Sequence, residues 1–537
     1  MNARRPFSLL SVAALCLALS ALWSPQPARA AGVVGTGSPA SCTEAALDTA
    51  LATGGIITFN CGAAPATIIL SFYKQISQDT DIRGAGRVSL SGGNSTPHFQ
   101  VFFGRTLTLR DITLTRGFGT FGSIQNFGKV IILNGRLERN TASVSGGAIE
   151  NLGELHLVDT IVDNNAASQA GGGILNEGGT VTLSATQVYS NTAKNDNVSN
   201  GHGGGINNRS GDVVVEGSLI YGNAAWGESN GGGIQNGGTL TVTRTTLRGN
   251  SAQFGGGVHN AGAMSLAIVT IEDNHATYYP GLADGGGLYN AGTADATRVE
   301  IIGNSAVSFG GGVYNHGSLT MTQSTLAHNR TAYVAGALNN SGALVLSNSL
   351  VYSNTAAFVG GIANAGTLTL INVTVSENAA QGGSGAGGVQ SDNGSATLLF
   401  VTITDNGGGG IGQTSPGSLR FKDSIVAGNV PADCVGAVSV TSNGFNLWSD
   451  FSCFGNQPGD TGHTNPLLGP LAKHGGPTLT RMPGAGSLAI DGGQCAGVAT
   501  DQRGAPRPYG SACDIGAVEY GSLVPSARLP LVMRKHR

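Results

Sequence analysis

The chain has 537 residues, 40% of them hydrophobic and only 11% charged, with a net charge of −3 at neutral pH. So small a charge supplies no electrostatic reason to bind nucleic acid or an anionic membrane surface. Glycine accounts for 87 positions, a richness that would suit a disordered chain, but the apolar residues recur with a period, which disorder does not require.

The first thirty residues have the layout of a secretory signal peptide. Arg4 and Arg5 precede an apolar run over 9–23, and Ala28-Arg29-Ala30 supplies the small-x-small site, so cleavage is expected after Ala30. Cys16 follows Leu15 inside the apolar run, a poor context for lipid attachment. No other stretch has the eighteen apolar residues of a membrane helix, so no transmembrane segment is expected in the mature chain.

Export leaves six cysteines: Cys42, Cys61, Cys434, Cys453, Cys495 and Cys513, falling as local pairs 19, 19 and 18 residues apart. In an oxidising compartment this even count reads as disulfides. Fifteen pairings are open to six cysteines, and the local one is the simplest. No CxxC or His-rich partner suggests a metal instead.

The segment 31–100 reads as an N-terminal cap with the first coils. Within it T-E-A-A-L-D-T-A-L-A (43–52) predicts a short helix, with Thr43 as N-cap and Glu44 in its first turn. Gly54 and Gly55 stop it, and a strand-like I-I-T-F leads to Cys61.

From 101 to 430 the chain repeats. Gly-Gly-Gly and an aliphatic residue recur as GGGILN (171–176), GGGINN (203–208), GGGIQN (231–236), GGGVHN (255–260), GGGLYN (285–290) and GGGVYN (310–315). A marker Asn before a small residue recurs at intervals of 23 to 32 residues, from Asn140 and Asn165 to Asn406 and Asn429. Three residues before the marker stand only aliphatic residues, among them Leu137, Val162, Val188, Ile220 and Ile301. Eight and ten before it, and just after the glycines, run three further apolar columns.

The alternation is two, which requires strands. Three short strands per turn of about 25 residues predict an all-β, single-stranded right-handed parallel β-helix, a solenoid whose columns fuse into one core. Twelve markers predict about a dozen coils, a rod of roughly 55–60 Å. Glycine is expected to supply positive φ at the bends, with Asn tolerating the same region. The marker asparagines are also expected to hydrogen-bond from coil to coil, a ligand-binding ladder being the less favoured alternative.

After 430 the repeat decays, and 431–520 reads as a C-terminal cap stapled by cysteine pairs. The last residues, 521–537, form a basic tail in which L-P-L-V-M precedes Arg534, Lys535, His536 and Arg537. It is too short to span a bilayer and reads either as a sorting or processing signal or as a frayed end.

The GGA-I and GGG-I motifs with their paired Asn resemble polymorphic outer membrane proteins and other bacterial surface β-helices of the pectin lyase-like class. The C-terminal stretches G-G-P-T-L-T (475–480), G-S-L-A-I-D-G-G (486–493), D-Q-R-G-A-P-R-P (501–508) and C-D-I-G-A-V-E-Y (513–520) resemble the choice-of-anchor Q domain. The resemblance implies a secreted or surface-displayed bacterial protein, and brings no catalytic residues with it. One departure is that polymorphic outer membrane proteins usually end in a barrel, whose ten-residue alternating strands do not fit after 430.

Pectin lyase-like proteins include polysaccharide lyases and glycoside hydrolases, which need clustered carboxylates. One pair meets the requirement. Glu138 and Asp163 both stand two residues before a marker, on adjacent coils, with Arg136 and Arg139 near. They are the candidate catalytic residues, about 5 Å apart if they point outward, and the competing reading is a solvated pair buffered by two arginines. Tyr189 and Tyr221 share that index and are the candidates for stacking on carbohydrate. No cofactor or metal site is assigned; Ca²⁺ enters only under the lyase alternative. The sequence therefore favours a non-enzymatic adhesin or surface scaffold over a polysaccharide lyase or glycoside hydrolase, with extracellular polysaccharide or cell-envelope components as partners. Binding specificity is expected in the turn insertions at 195–202 and 278–284.

Overall fold

Residues 129–151 show how one coil closes in the computed structural model. Lys129–Leu133 forms a strand with Val130 and Ile132 inward, a bend at Asn134 leads to the strand Arg136–Glu138, and a bend at Arg139 leads to the two-residue strand Thr141–Ala142. The glycine turn follows, and then the strand Ile149–Asn151. The next coil repeats all four segments in parallel register, Lys129 against Glu154, Arg136 against Ile161, Thr141 against Ala166 and Ile149 against Ile174. The structure describes residues 32–194, 201–277, 281–383, 385–414, 417–436, 440–453 and 455–524. The expected signal peptide, the basic tail beyond 524, and residues 195–200 and 278–280 of the two turn insertions lie outside them.

The chain is a parallel β-solenoid of about 16 turns, not twelve. The strands Gly32–Val34, Gly55–Phe59, Thr80–Ser91 and Thr106–Thr115 already pair in sequence ahead of the first marker. Another coil, with Val440–Ser442 and Leu447–Trp448, follows the last one. At about 4.8 Å per strand the rod is roughly 75 Å long. Each repeated coil has four segments where the sequence predicts three. The extra one carries a buried small side chain two residues after the marker (Ala142, Ala167, Ala193, Ala225 and on to Ala380) and builds a separate 11-stranded sheet.

The marker asparagines are buried and form an unbroken ladder. From Asn140 to Asn429 each Nδ2 donates to the Oδ1 of the next marker at 2.8–3.0 Å, and that Oδ1 also takes the donor residue's backbone N–H. A second ladder runs through the last Asn of the glycine motif, from Asn126 to Asn364, ending on Ser391. The left-handed residue is the one before the marker (Arg139, Asn164, Ser190) and not the marker itself, which corrects the expected role of Asn at the bend. In the glycine motif only the first residue is left-handed, as at Gly285 with φ 65°. The second and third are needed for space: a Cβ on Gly287 would stand 2.8 Å from the Gly312 carbonyl, and one on Gly286 would collide with the carbonyls of Ser305 and Gly311.

Both ends of the core are closed. Helix α1 (Glu44–Leu51) is capped by Thr43, whose Oγ1 accepts from Ala46, and buries Leu47 and Ala50. Cys42–Cys61 pins its start. At the other end Trp448 and the Cys434–Cys453 bridge join the main core beside Phe421.

Beyond that plug the chain turns back along the flank of the rod. There Thr374 donates to Gln502 at 2.6 Å, Ala517 N–H to Thr402 at 3.0 Å, and Gln494 N–H to Asp423 at 2.7 Å. Arg481 pairs with Glu377 and Asp405, and the Arg507 guanidinium lies 4.3 Å from the Phe400 ring centre. The acids and arginines of this segment serve its interior. Arg507 pairs with Glu519 and Arg503 with Asp501, both at 2.7 Å and buried, while Cys495–Cys513 staples the fold.

Removing one rung of the ladder strands donors and acceptors on both sides. Asn304→Ala leaves the Asn274 N–H and Nδ2 and the Ile271 carbonyl without their partner and takes one of two donors from Asn329 Oδ1, and guanidinium unfolding should show a loss of about 3 to 4 kcal/mol. Gly286→Ala should cost at least as much. By contrast Gly217→Ala, in an open left-handed position with φ 56°, should cost only about 1 kcal/mol. Equal losses at the two glycines would contradict the close-approach argument.

His98 gives a pH prediction. Its ring is fully buried, with Nε2 on the Leu90 carbonyl and Nδ1 on the Ser123 hydroxyl, both at 2.9 Å, and burial lowers its pKa to about 4. The unfolded imidazole takes its proton near 6.5, so the unfolded chain binds more protons between these values. The contribution of His98 is therefore complete above pH 6.5 and is lost as pH falls toward 4, by about 3 kcal/mol. Unfolding of His98→Gln across pH 4–7 should show correspondingly weaker pH dependence than the parent chain.

Candidate functional site

The carboxylate pair sits where the sequence places it, on adjacent strands of one flank with Glu138 and Asp163 in register. The flank is formed by the residues two, four and six before each marker, the same face on which the C-terminal segment docks further along. The surroundings differ from expectation. Asp163 is completely buried, and Arg136 alone ties the pair together: its guanidinium holds Asp163 through two bonds of 2.9 Å and Glu138 at 2.9 Å. Asn164 donates to Asp163 at 2.7 Å, and Tyr189 of the next coil is its register neighbour. Solvent does not surround this pair, and Arg139 stands in the adjoining left-handed bend.

The chemistry follows from that coordination. A general base needs a free lone pair, and a general acid needs an environment that retains its proton. Asp163 spends its acceptor capacity on Arg136 and Asn164, while Arg136, its own pKa raised by the Asp163 bond, supplies a permanent counter-charge. The arrangement suits bracing between coils better than proton transfer. Among the described residues no group of three His, Cys, Asp or Glu side chains is disposed to hold a metal ion.

Tyr189 and Tyr221 do stack, with ring centres 4.6 Å apart and planes 16° apart. Each ring therefore covers one face of the other. Further along this flank, Ile268, Arg298, Glu300 and Gln323 line a shallow concavity of about 280 Å³ beside Pro477 of the returning segment.

A second group of residues, which sequence reasoning missed, lies on another face. The middle residue of the strand after the glycines points outward into a half-buried column, where Asn207, Gln235, His259, Tyr289 and Tyr314 are in register on successive coils. His259 stacks on Tyr289 and Tyr289 on Tyr314, each at 4.9 Å, and Phe254 meets Tyr289 edge-on at 5.5 Å. Burial lowers the His259 pKa to about 4 and raises that of Tyr289 to about 12. Beside them Asp284 accepts from the Phe309 N–H, and burial raises its carboxyl to about 6. The signal was present in V-H-N, L-Y-N and V-Y-N, three consecutive repeats with an aromatic or imidazole ring at one index. The described residue Asp284 closes the expected 278–284 insertion, and His202 closes the other.

A scan against protein-family models finds no match, and searches of curated proteins and of solved structures likewise return none. The geometry of the chain itself therefore carries the functional argument.

If Arg136 is a brace, removing it should damage the fold more than removing Glu138. Arg136→Met leaves Asp163 buried without its cation and should destabilise by about 3 kcal/mol. Glu138→Gln, on the exposed side of the bridge, should stay within about 1 kcal/mol. Chemical unfolding of the two variants measures the difference, and the reverse order would remove the bracing role.

Proposed function

We propose that this protein is a secreted or cell-surface rod acting as an adhesin or scaffold, not as an enzyme, with extracellular polysaccharide or cell-envelope components as its partners. The observation that carries the reading is Arg136, which occupies both members of the Glu138–Asp163 carboxylate pair. Three disulfides suit an oxidising compartment, and no helix among the described residues is long and apolar enough to cross a membrane. A solenoid stapled at both ends, with its backbone hydrogen bonds inside the stack, also suits exposure to proteases. The motif likeness to choice-of-anchor Q and pectin lyase-like surface proteins points the same way, with the chain's first thirty residues as the export signal.

The alternative of a polysaccharide lyase or glycoside hydrolase draws on the β-helix architecture alone, and fold does not imply function. The deciding assay measures reducing-end and unsaturated-product release from a polysaccharide panel, with and without Ca²⁺. It compares the mature chain with a Glu138→Gln/Asp163→Asn variant. No product from either protein is expected; product from the parent that disappears in the variant would establish an enzyme and locate its site. Export is checked separately: the secreted chain should begin at Ala31.

A further inference from the structure

The half-buried column after the glycine turns carries an unusual concentration of polar atoms without partners. Asn207 Oδ1, Gln235 Oε1, Gln253 Oε1 and His259 Nδ1 are all buried and unbonded. Asn207, Gln235 and His259 occupy one register position on three consecutive coils, and Gln253 immediately precedes Phe254, which touches Tyr289. Each orphaned atom costs about 1–3 kcal/mol unless something supplies the missing bond. The donor sides of two of these amides are engaged: Asn207 donates to the His202 carbonyl and Gln253 to that of Leu282. What remains unmet is the acceptor capacity of three carbonyl oxygens, together with one ring nitrogen whose role follows the tautomer.

We infer that this column, from Asn207 to Tyr314, is the binding site for a neutral, hydroxyl-rich glycan. The inference rests on the surface-binding reading above and names its ligand class. Sugar hydroxyls are the donors that unpaired amide oxygens need, and the part-exposed tyrosine rings supply apolar contact for sugar C–H groups. Gln235, Tyr289 and Tyr314 remain part-exposed, so a ligand reaches the column from outside, and the soft terminal torsion of an amide side chain lets its oxygen turn toward it. Anionic sugars are disfavoured. Asp284 stands beside Tyr289, Glu150 and Glu177 lie toward the preceding coils, and the nearby Arg209 is already paired with Glu177 at 2.7 Å. The chain rises one coil per strand spacing, so the acceptors are presented at a regular interval of about 4.8 Å, an arrangement suited to a linear polymer lying along the rod.

The test is isothermal titration of the mature full chain with neutral hexasaccharides of glucose and of mannose, with hexagalacturonate, and with CaCl₂ alone. At least one neutral hexasaccharide should bind, and hexagalacturonate should bind at least about ten-fold more weakly. Gln235→Ala and Tyr289→Ala should each weaken the neutral ligand about ten-fold, whereas Thr293→Ala on the exposed surface should not. Gln235→Met keeps the side-chain length at a part-exposed position and removes the acceptor oxygen, so it guards against an unfolded alanine variant and should weaken binding similarly. The inference is overturned by neutral-glycan binding that ignores these substitutions, by preference for the uronate, by binding of Ca²⁺ alone, or by no saccharide binding at all. Product release in the panel assay would instead sink the non-enzymatic reading while leaving glycan capture by this column intact.

Discussion

Everything else in this molecule is arranged around two columns of buried asparagine. An amide side chain is both donor and acceptor, so when identical amides stack at strand spacing each satisfies the next, and a polar group becomes tolerable in the core. That solution works only in register, because a displaced coil leaves several buried groups unpaired at once. The ladders therefore fix the coils against sliding, a task that the aliphatic columns cannot perform since one methyl-lined level packs on another almost equally well. Where the first ladder ends, its last member passes the bond to a carboxylate, Asn429 to Asp433, so the series has no orphaned terminus there.

The ladders also explain the glycines. Bringing the Asn304 rung against Gly287, and Asn329 against Gly312, leaves no volume for a Cβ at the turn. The triple-glycine motif is thus less a hinge than a clearance, with one left-handed residue and two positions at which backbone meets backbone. Because the interior is held by self-similar columns, the outward residues are under little constraint, and coils can differ on their surface without altering their neighbours. The aromatic and amide column, the Arg136 bridge and the docking flank of the C-terminal segment are three different uses of that freedom on one scaffold.

How much of this could be read from the sequence depends on whether a feature repeats. The inward columns, exemplified by Leu137, Val162 and Ile301, repeat without a polar exception, so strand, register and core were legible. The first four coils were not counted because none carries a marker Asn; their strands are visible only once Thr106–Thr115 is seen pairing with Thr80–Ser91. The short third strand escaped because its signature is a single alanine, which is too common to stand out. Contacts such as Thr374 with Gln502 link residues 128 apart in sequence and have no period, so the return of the C-terminal segment along the flank was invisible. At the candidate site the pairing of Glu138 with Asp163 followed from the index, but the burial of Asp163 did not. An index gives the direction of a side chain; what covers it depends on neighbours such as Tyr189.

That distinction bears on function. A carboxylate pair on a β-helix is easily taken as a catalytic signature, since adjacent coils deliver the spacing automatically. The spacing is a property of any parallel stack and therefore carries little information about chemistry. What discriminates is whether the charges are compensated. Here one guanidinium binds both acids, and Asn164 adds a hydrogen bond to the buried Asp163. The contrasting column, at Asn207, Gln235 and His259, has its capacity unspent. Beside two ladders that pair their amides rung by rung, unspent polar atoms on three consecutive coils mark the place where the rod has something left to bind.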